Sequence, residues 1–169
     1  MNNAVTPHFH NDFTQDDKRG SFSKFWTDVP CVNCDEDFLP KEIFYSNSLF
    51  GVIRGFHFQN RPARIAKIVK VLEGSILDVS FNLDSSSNLD FHKFDLTVKS
   101  NSLYIPKNFA HAFQVTSKYA VVLYVTDGSY SPTLDDGVHW TSYKGWKKTP
   151  LIISDRDSNF RRLDLDSSS

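Results

Sequence analysis

The 169-residue sequence lacks the features that mark several special classes of protein. No apolar run is long enough to cross a bilayer, and residues 1–15 lack the charged start and apolar middle of a signal peptide. A net charge of −1, with no long basic block, gives no positively charged segment that would bind nucleic acid. We therefore expect a cytoplasmic protein without membrane or nucleic-acid partners.

Cysteine is also scarce, since Cys31 and Cys34 are the only two. Their C-x-x-C spacing occurs in redox pairs and in halves of zinc sites, but a structural zinc site needs four ligands and no second C-x-x-C exists. No histidine lies nearby at zinc-finger spacing. We interpret these residues as incidental thiols of a reduced protein.

Aromatic residues are abundant, with fifteen Phe and six Tyr beside a single Met. Such side chains favour strands over helices. The length and the 40% apolar content fit one domain over residues 1–169, with residues 1–15 and 161–169 flexible or peripheral. We expect an all-β protein.

Alternating apolar and polar residues mark several of the expected strands. Residues 64–72 and 75–83 flank a Glu-Gly turn, which predicts a hairpin between them. Charged residues 155–166 indicate a surface or tail segment. Strands at roughly ten-residue intervals without an amphipathic helix point to a sandwich or barrel. The other predicted strands cover residues 20–26, 91–98, 102–105 and 118–126.

Two segments carry chemistry. Residues 51–59 place a cation, Arg54, three positions before an acid/base group, His57, inside an apolar run. Residues 104–113 deliver a second imidazole, His111, in a similar setting. This pattern predicts one polar pocket that holds an anion and moves a proton beside it. The alternative for a lone histidine in an apolar run is a hydrogen-bonded core residue.

These motifs together resemble the dTDP-4-dehydrorhamnose 3,5-epimerase family in order and spacing. The resemblance covers roughly residues 16–160. It implies a cupin-type antiparallel β-barrel, or jelly roll, with short peripheral helical turns. It also implies a homodimer whose N-terminal strands cross into the partner and help to line its pocket. The matching segments are residues 17–20, 51–59, 66–70, 74–79, 105–113, 123–124, 130–132, 137–140 and 153–157.

The resemblance implies an activity on nucleotide-diphosphate-linked 4-keto-6-deoxy sugars, in deoxysugar biosynthesis for surface polysaccharide. The C4 ketone acidifies the hydrogens on C3 and C5, so that removal of one gives an enolate. Reprotonation from the opposite face inverts the carbon. Related proteins invert C3, C5 or both. The family requires neither a metal nor an organic cofactor.

Four residues match the catalytic positions of that family. His57 is expected to be the general base, because an imidazole accepts a proton near neutral pH, and Asp157 would support its charged form. Tyr124 would be the acid on the other face of the sugar; without the resemblance it is one more strand aromatic. Lys67 would meet the enolate oxygen, because a lysine facing inward is costly unless it meets an anion. The alternative is that its face of the strand points to solvent.

The remaining matches concern substrate binding. Arg54 offers a fork of donors for the diphosphate, and Arg19 would reach the same diphosphate from the partner chain, unless it is simply an exposed surface residue. Asp78 and His111 would hold sugar hydroxyls or tune His57, or else serve structure. By the same resemblance, Gln59 and Tyr130 are expected to contact substrate.

Two departures from the family pattern concern the nucleotide end. Lys24 stands where the family commonly has Glu, and Glu42 and Phe44 stand where it has a Gln-x-Asn pair. A carboxylate at Glu42 could accept hydrogen bonds from guanine or from the amino group of cytosine. We therefore expect Lys24 and Glu42 to face the nucleotide, whose base need not be thymine.

Other functions on the same scaffold remain alternatives. A 3,4-ketoisomerase also works through an enolate but moves the carbonyl. A metal-dependent cupin normally supplies several His and a Glu, whereas here only two imidazoles and the amide of Gln59 stand at the two motifs. A sugar-binding module would have no need for His57, Asp157 and Tyr124 together. We expect no bound metal.

Overall fold

Segments rich in aromatic and β-branched side chains form twelve β-strands in the residues that the computed structural model describes, namely 5–26, 38–85, 89–148 and 151–163. Helical structure in those ranges consists of a 3₁₀ turn at Trp140–Ser142 and a four-residue helix, α1 (Asp155–Ser158). The strands are β1 (His8–Phe9), β2 (Phe13–Asp17), β3 (Gly20–Lys24), β4 (Glu42–Leu49), β5 (Ile53–Gln59), β6 (Lys67–Glu73), β7 (Ser75–Asn82), β8 (Phe91–Thr97), β9 (Leu103–Ile105), β10 (Phe109–Val115), β11 (Tyr119–Thr126) and β12 (Asp135–Gly137).

Ten of these strands form two antiparallel sheets of five. The first sheet has the order β1-β9-β6-β11-β4, and the second has the order β12-β5-β10-β7-β8. Strands β2 and β3 pair with each other in a separate hairpin. The chain crosses repeatedly from one sheet to the other, which gives a jelly-roll arrangement rather than a closed barrel. The all-β prediction is confirmed.

The main hydrophobic cluster lies between the sheets. Alternate residues of each strand face inward, so Val69 and Val122 of the first sheet meet Ile76 and Phe113 of the second. Each of these four side chains is at most 2% exposed. Truncating a buried phenylalanine such as Phe113 to alanine typically costs about 3–5 kcal/mol. This apolar packing holds the two sheets at a fixed spacing, and polar side chains that also face inward are therefore held in place.

The strand predictions are confirmed to within three residues. Predicted strands 75–83, 91–98, 102–105 and 118–126 correspond to β7, β8, β9 and β11. Strand β6 begins at Lys67 rather than at residue 64. The three preceding residues belong instead to a connection in which Arg64 pairs with Asp84 at 2.8 Å.

The predicted hairpin between β6 and β7 is wrong. β6 pairs with β9 and β11, whereas β7 pairs with β8 and β10 in the other sheet. At Gly74 (φ +77°) the chain turns from one sheet to the other, so close to the backbone of Tyr119 that a Cβ would lie 2.1 Å from its carbonyl oxygen. Ser75 bonds to Thr116 and Ser117 of the β10–β11 connection. A turn sequence does not reveal these competing long-range partners.

The described part of the charged C-terminal segment, residues 155–163, lies mainly at the surface, as predicted, with one exception. Ser154 caps α1 by accepting a hydrogen bond from the backbone N–H of Asp157, whose own side chain is 5% exposed. Cys31 and Cys34 lie outside the described residues. In the described part of the chain, no helix is both long and apolar enough to cross a membrane.

Candidate active site

A cavity of about 350 Å³ lies between the two sheets and is lined by side chains from both. Strands β4, β6 and β11 of the first sheet contribute to it, as do β5 and β10 of the second. Residues far apart in sequence therefore meet in one place. Eight of the predicted site residues line this cavity: Glu42, Arg54, His57, Gln59, Lys67, His111, Tyr124 and Tyr130.

His57 of β5 is held by Asp157 of α1. Its Nε2 lies 2.8 Å from Asp157 Oδ1, and the backbone N–H of Gly55 donates to Asp157 Oδ2 at 2.9 Å. Burial opposes ionisation of Asp157, but the hydrogen bonds from His57 and Gly55 outweigh it and lower the pKa of its carboxyl. An ionised Asp157 accepts the Nε2–H hydrogen, which leaves His57 Nδ1 as the proton acceptor.

The backbone around Gly55 explains why a glycine precedes this histidine by two positions. Gly55 adopts φ +117°, and a Cβ there would lie 2.5 Å from the carbonyl oxygen of His111 and 2.6 Å from Ala112 Cβ. Only glycine tolerates both this conformation and this close approach of β5 to β10. The glycine thus lets His57 lie directly opposite His111 in the sheet.

His111 forms the second histidine–carboxylate pair. Its Nε2 lies 2.7 Å from Asp78 Oδ2 of β7, and His111 and Asp78 are 5% and 0% exposed. Burial lowers the pKa of His111, an effect that Asp78 opposes and the nearby Lys67 and His57 reinforce. His111 is therefore neutral at physiological pH and acts as a hydrogen-bonding group of the cavity wall. Asp78 lies behind that wall.

Lys67 and Tyr124 enter the cavity from the first sheet. Burial lowers the pKa of Lys67 to about 8, although Asp78, Asp135 and Asp127 partly offset the shift. The lysine faces the cavity and not solvent, which excludes the alternative orientation of its strand. Burial raises the pKa of Tyr124, which is 7% exposed, so that its phenol keeps its proton. The cavity thus combines a cation with a protonated acid.

The two sheets put the base and the phenol on opposite walls. His57 projects from the second sheet and Tyr124 from the first. The Tyr124 ring lies edge-to-face with His111, the neighbour of His57, at 6.4 Å between ring centres. A flat ring bound between the sheets would meet a proton acceptor on one face and a proton donor on the other.

The mouth of the cavity carries charged residues, two of which the sequence analysis missed. Arg156 pairs with Asp135, and the hydroxyl of Tyr130 donates to the same carboxylate at 3.1 Å. Arg54 also reaches the cavity, and its Nε donates to Ser48 Oγ at 2.9 Å. Arg156 could have been found from its position beside Asp157 in the segment 153–157, whereas Asp135 lies between the matching segments 130–132 and 137–140 and carried no such signal. The mouth is suited to an anionic ligand.

Two residues that were predicted to bind the substrate form hydrogen bonds with the protein backbone. Gln59 donates to the carbonyl oxygens of Ala63 and Ser129 at 2.8 and 3.3 Å and accepts from the N–H of Ser131. Glu42 Oε1 accepts from the N–H of Tyr130 at 3.0 Å. Both side chains hold the segment that carries Tyr130 against the sheets.

Arg19 and Lys24 do not reach the cavity of their own chain. They lie on the exposed β2–β3 hairpin, where Arg19 Nε donates to Asp17 Oδ1 at 3.1 Å and the Lys24 ammonium lies 5.9 Å from the ring centre of Phe22. If these residues contact a ligand in such a cavity, the cavity belongs to another copy of the chain.

Metal ligands do not gather in the described ranges. No group of three or more His, Cys, Asp or Glu side chains is placed there to hold a metal ion. The side chains that do meet in the cavity are groups that transfer protons and bind charge.

Comparison with known proteins identifies a family. The model of the family described as dTDP-4-dehydrorhamnose 3,5-epimerase matches residues 8–164. The dTDP-4-dehydrorhamnose 3,5-epimerase of Escherichia coli strain K12 is 34% identical over 128 residues, which are 71% of this chain and 69% of that protein.

Solved structures of the same family share the fold. The dTDP-4-dehydrorhamnose 3,5-epimerase of Bacillus anthracis, whose crystal structure contains TDP and PPi, has a TM-score of 0.79 and 28% identity, covering 90% of this chain and 91% of that one. The enzyme of Sulfolobus tokodaii has a TM-score of 0.77 and 30% identity, covering 88% and 85% of the two chains.

Proposed function

Since this chain belongs to the dTDP-4-dehydrorhamnose 3,5-epimerase family, we propose that it epimerises a 4-keto-6-deoxyhexose carried on a nucleoside diphosphate, as a step of deoxysugar biosynthesis. The observation that carries this proposal is the opposition of His57 and Tyr124 on facing sheets. Inversion of a carbon requires removal of a proton from one face and delivery of a proton to the other. We further propose that residues 1–169 act as one domain in the cytoplasm.

The first step is proton abstraction. The C4 ketone makes the hydrogens on C3 and C5 acidic, and His57 Nδ1 takes one of them while its Nε2–H remains bonded to Asp157. The ionised carboxylate stabilises the imidazolium that results. The electron pair of the broken C–H bond forms the enolate, whose negative charge lies on the C4 oxygen.

Lys67 and Tyr124 complete the reaction. The ammonium of Lys67 faces the cavity beside the buried Asp78 and His111, where a charge on an enolate oxygen is strongly stabilised because water is largely excluded. Tyr124 then gives its proton to the carbon from the opposite face. His57 afterwards releases the proton that it took to the solvent, and Tyr124 recovers one from the solvent. No atom is gained or lost overall, so the product is a stereoisomer of the substrate.

The diphosphate belongs at the charged mouth. Arg54 reaches this part of the cavity, and Arg156 adds a second guanidinium. The TDP and PPi in the Bacillus anthracis relative support a dTDP-linked substrate. Glu42 supports a wider choice of base, because its carboxylate could accept hydrogen bonds from guanine or cytosine. In this arrangement Tyr130 would contact the nucleotide part of the ligand.

We propose a homodimer in which the β2–β3 hairpin reaches the partner's cavity. Two observations support it. The hairpin exposes Phe13 and Phe22, at 54% and 57%. Strand β4, at one edge of the first sheet, exposes Ile43, Tyr45 and Leu49 at 65–70%. An exposed apolar edge strand favours pairing with another chain. Arg19 and Lys24 would then act on the ligand of the other subunit.

The test is incubation in heavy water with 4-keto-6-deoxyhexoses linked in turn to dTDP, GDP and CDP, followed by NMR of the C3 and C5 proton signals. Loss of both signals identifies a 3,5-epimerase, and loss of one identifies a single-centre epimerase. Movement of the carbonyl would indicate a 3,4-ketoisomerase instead. Absence of exchange in the wild type with all three substrates would contradict the proposal. His57→Ala serves as the inactive control.

A further inference from the structure

Phe44 is placed to control the position of the Tyr124 ring. The register of the first sheet puts Phe44 of β4 directly opposite Tyr124 of β11. Their rings are stacked, with centres 4.9 Å apart and planes inclined by 16°. Both side chains line the cavity. Aromatic pairs in this offset-stacked arrangement attract each other beyond the effect of the buried area alone.

Phe44 is not part of the main core cluster. Phe44 is 47% exposed and lies on an edge strand, whereas Tyr124 is 7% exposed and packs into the main core. The phenol ring is bounded by Phe44 on its stacked face and by the ring of His111, edge-to-face at 6.4 Å. Loss of Phe44 would therefore free one side of the Tyr124 ring without opening the core.

Resting on the proposed function, we propose that Phe44 is a positioning residue that holds the Tyr124 hydroxyl where the enolate is reprotonated. The enolate has two possible proton donors. Tyr124 inverts the carbon, whereas return of a proton from His57 restores the original stereocentre. If the Tyr124 hydroxyl is displaced, reprotonation by Tyr124 becomes slow relative to reprotonation by His57, since reactions depend steeply on the alignment of donor and acceptor.

Loss of this positioning changes the fraction of enolate that is inverted and the fraction that returns to substrate, and not the rate alone. The His57 side chain is 32% exposed, so a proton that it has taken from the sugar can exchange with solvent before it returns. In heavy water, return from His57 therefore leaves deuterium in substrate that has not been inverted. The ratio of deuterium in recovered substrate to deuterium in inverted product measures how well Tyr124 competes. This ratio does not depend on how much of the protein is folded.

The first experiment compares this ratio in wild type, Phe44→Leu and Phe44→Trp with the accepted nucleotide sugar. Leucine keeps an apolar side chain but cannot stack, so we expect the ratio to rise about tenfold and kcat to fall while KM changes little. Tryptophan keeps a flat ring and should restore both. Phe50→Leu is the matched control, since Phe50 is 41% exposed just beyond β4 and does not line the cavity. An unchanged ratio in Phe44→Leu would overturn the proposal.

A second measurement needs no substrate. Protein labelled with 3-fluorotyrosine is observed by fluorine NMR, and the Tyr124 signal is identified by its absence from Tyr124→Phe. We expect this signal to shift or broaden in Phe44→Leu and to be unchanged in Phe50→Leu, because only Phe44 stacks on the ring. An identical signal in wild type and Phe44→Leu refutes the positioning role whatever the catalytic activity. A shifted signal in a protein without exchange activity contradicts the proposed function alone.

Discussion

Asp157 links the candidate base to the backbone of the strand that carries it, because one carboxylate oxygen meets His57 and the other meets the N–H of Gly55. An amide in its place could donate a hydrogen to Nε2 and so leave the wrong ring nitrogen protonated. We therefore expect Asp157→Asn to lower kcat by at least about a hundredfold. Initial rates of deuterium incorporation measure the loss.

The neighbouring Asp155 provides the control for that variant. Asp155 lies on the same helix and is exposed. Asp155→Asn changes the net charge by the same amount and should retain the wild-type rate. Equal losses in the two variants would mean that charge near α1 matters and that the contact with His57 does not.

In the proposed mechanism, Lys67 sets a basic limit to the activity. Its pKa, lowered by burial to about 8, means that the ammonium needed to stabilise the enolate is lost as the pH rises through that value. We expect kcat/KM to fall above about pH 8 and Lys67→Met to lack this limb and most of the activity. A profile that stays flat to pH 10 in the wild type would contradict the role of Lys67.

The same group should influence stability with the opposite sign. Unfolding returns Lys67 from a pKa of about 8 to its ordinary 10.5, so the unfolded chain binds more protons between those values. The contribution of this lysine to the free energy of unfolding therefore rises with pH across that window. Urea denaturation at pH 8 and pH 10 should show a smaller rise for Lys67→Met than for the wild type.

At the scale of elements, a buried ion pair fastens the N-terminal segment that contains β1 to the first sheet. Lys70 of β6 and Asp12 lie 2.7 Å apart with side chains 11% and 1% exposed, and Asp12 also accepts from the N–H of Ser102. Removing one partner leaves a buried charge unpaired. We expect Lys70→Met to lower the free energy of unfolding by about 3–5 kcal/mol, measured by urea denaturation at fixed protein concentration.

A surface pair gives the comparison. Arg61 lies 3.2 Å from Asp84, and their side chains are 74% and 43% exposed. Such pairs contribute about 0–1 kcal/mol, so Arg61→Met should be nearly neutral. If both substitutions lower the free energy of unfolding by the same amount, burial does not determine how much the Lys70–Asp12 pair stabilises the fold.

Elements that carry their own alternation could be predicted from the sequence, and their partners could not. Residues 75–83 alternate between apolar and polar side chains and residues 118–126 form an apolar run, and these local patterns predict β7 and β11, although both faces of β7 are buried. The pairing of β6 depends on β9 and β11, which lie far along the chain, so the local Glu-Gly turn suggested a false hairpin. The same limit applies to the site. His57 and Lys67 stand out as polar residues in apolar strands, whereas the Phe44–Tyr124 stack follows from a long-range register.

At the scale of the whole molecule, the cavity of one chain has no contribution from its own Arg19, which lies on the exposed hairpin with Asp17. In the proposed dimer this arginine completes the partner's diphosphate site. Light scattering should then give a mass of twice 19.4 kDa. Arg19→Ala should raise KM without removing the proton-transfer residues, since binding of the diphosphate is the step that it supports.

Mixed dimers test whether the arginine acts across subunits. His57→Ala lacks the base, and Arg19→Ala lacks the arginine. When the two variants are co-expressed with different tags, the mixed dimer has one cavity with His57 from one chain and Arg19 from the other. If pairing is random, about a quarter of the wild-type activity should return at substrate concentrations where each variant alone is weak. If Arg19 acted within its own chain, every cavity in the mixture would lack either the base or the arginine, and the mixture would show no more activity than the average of the two variants.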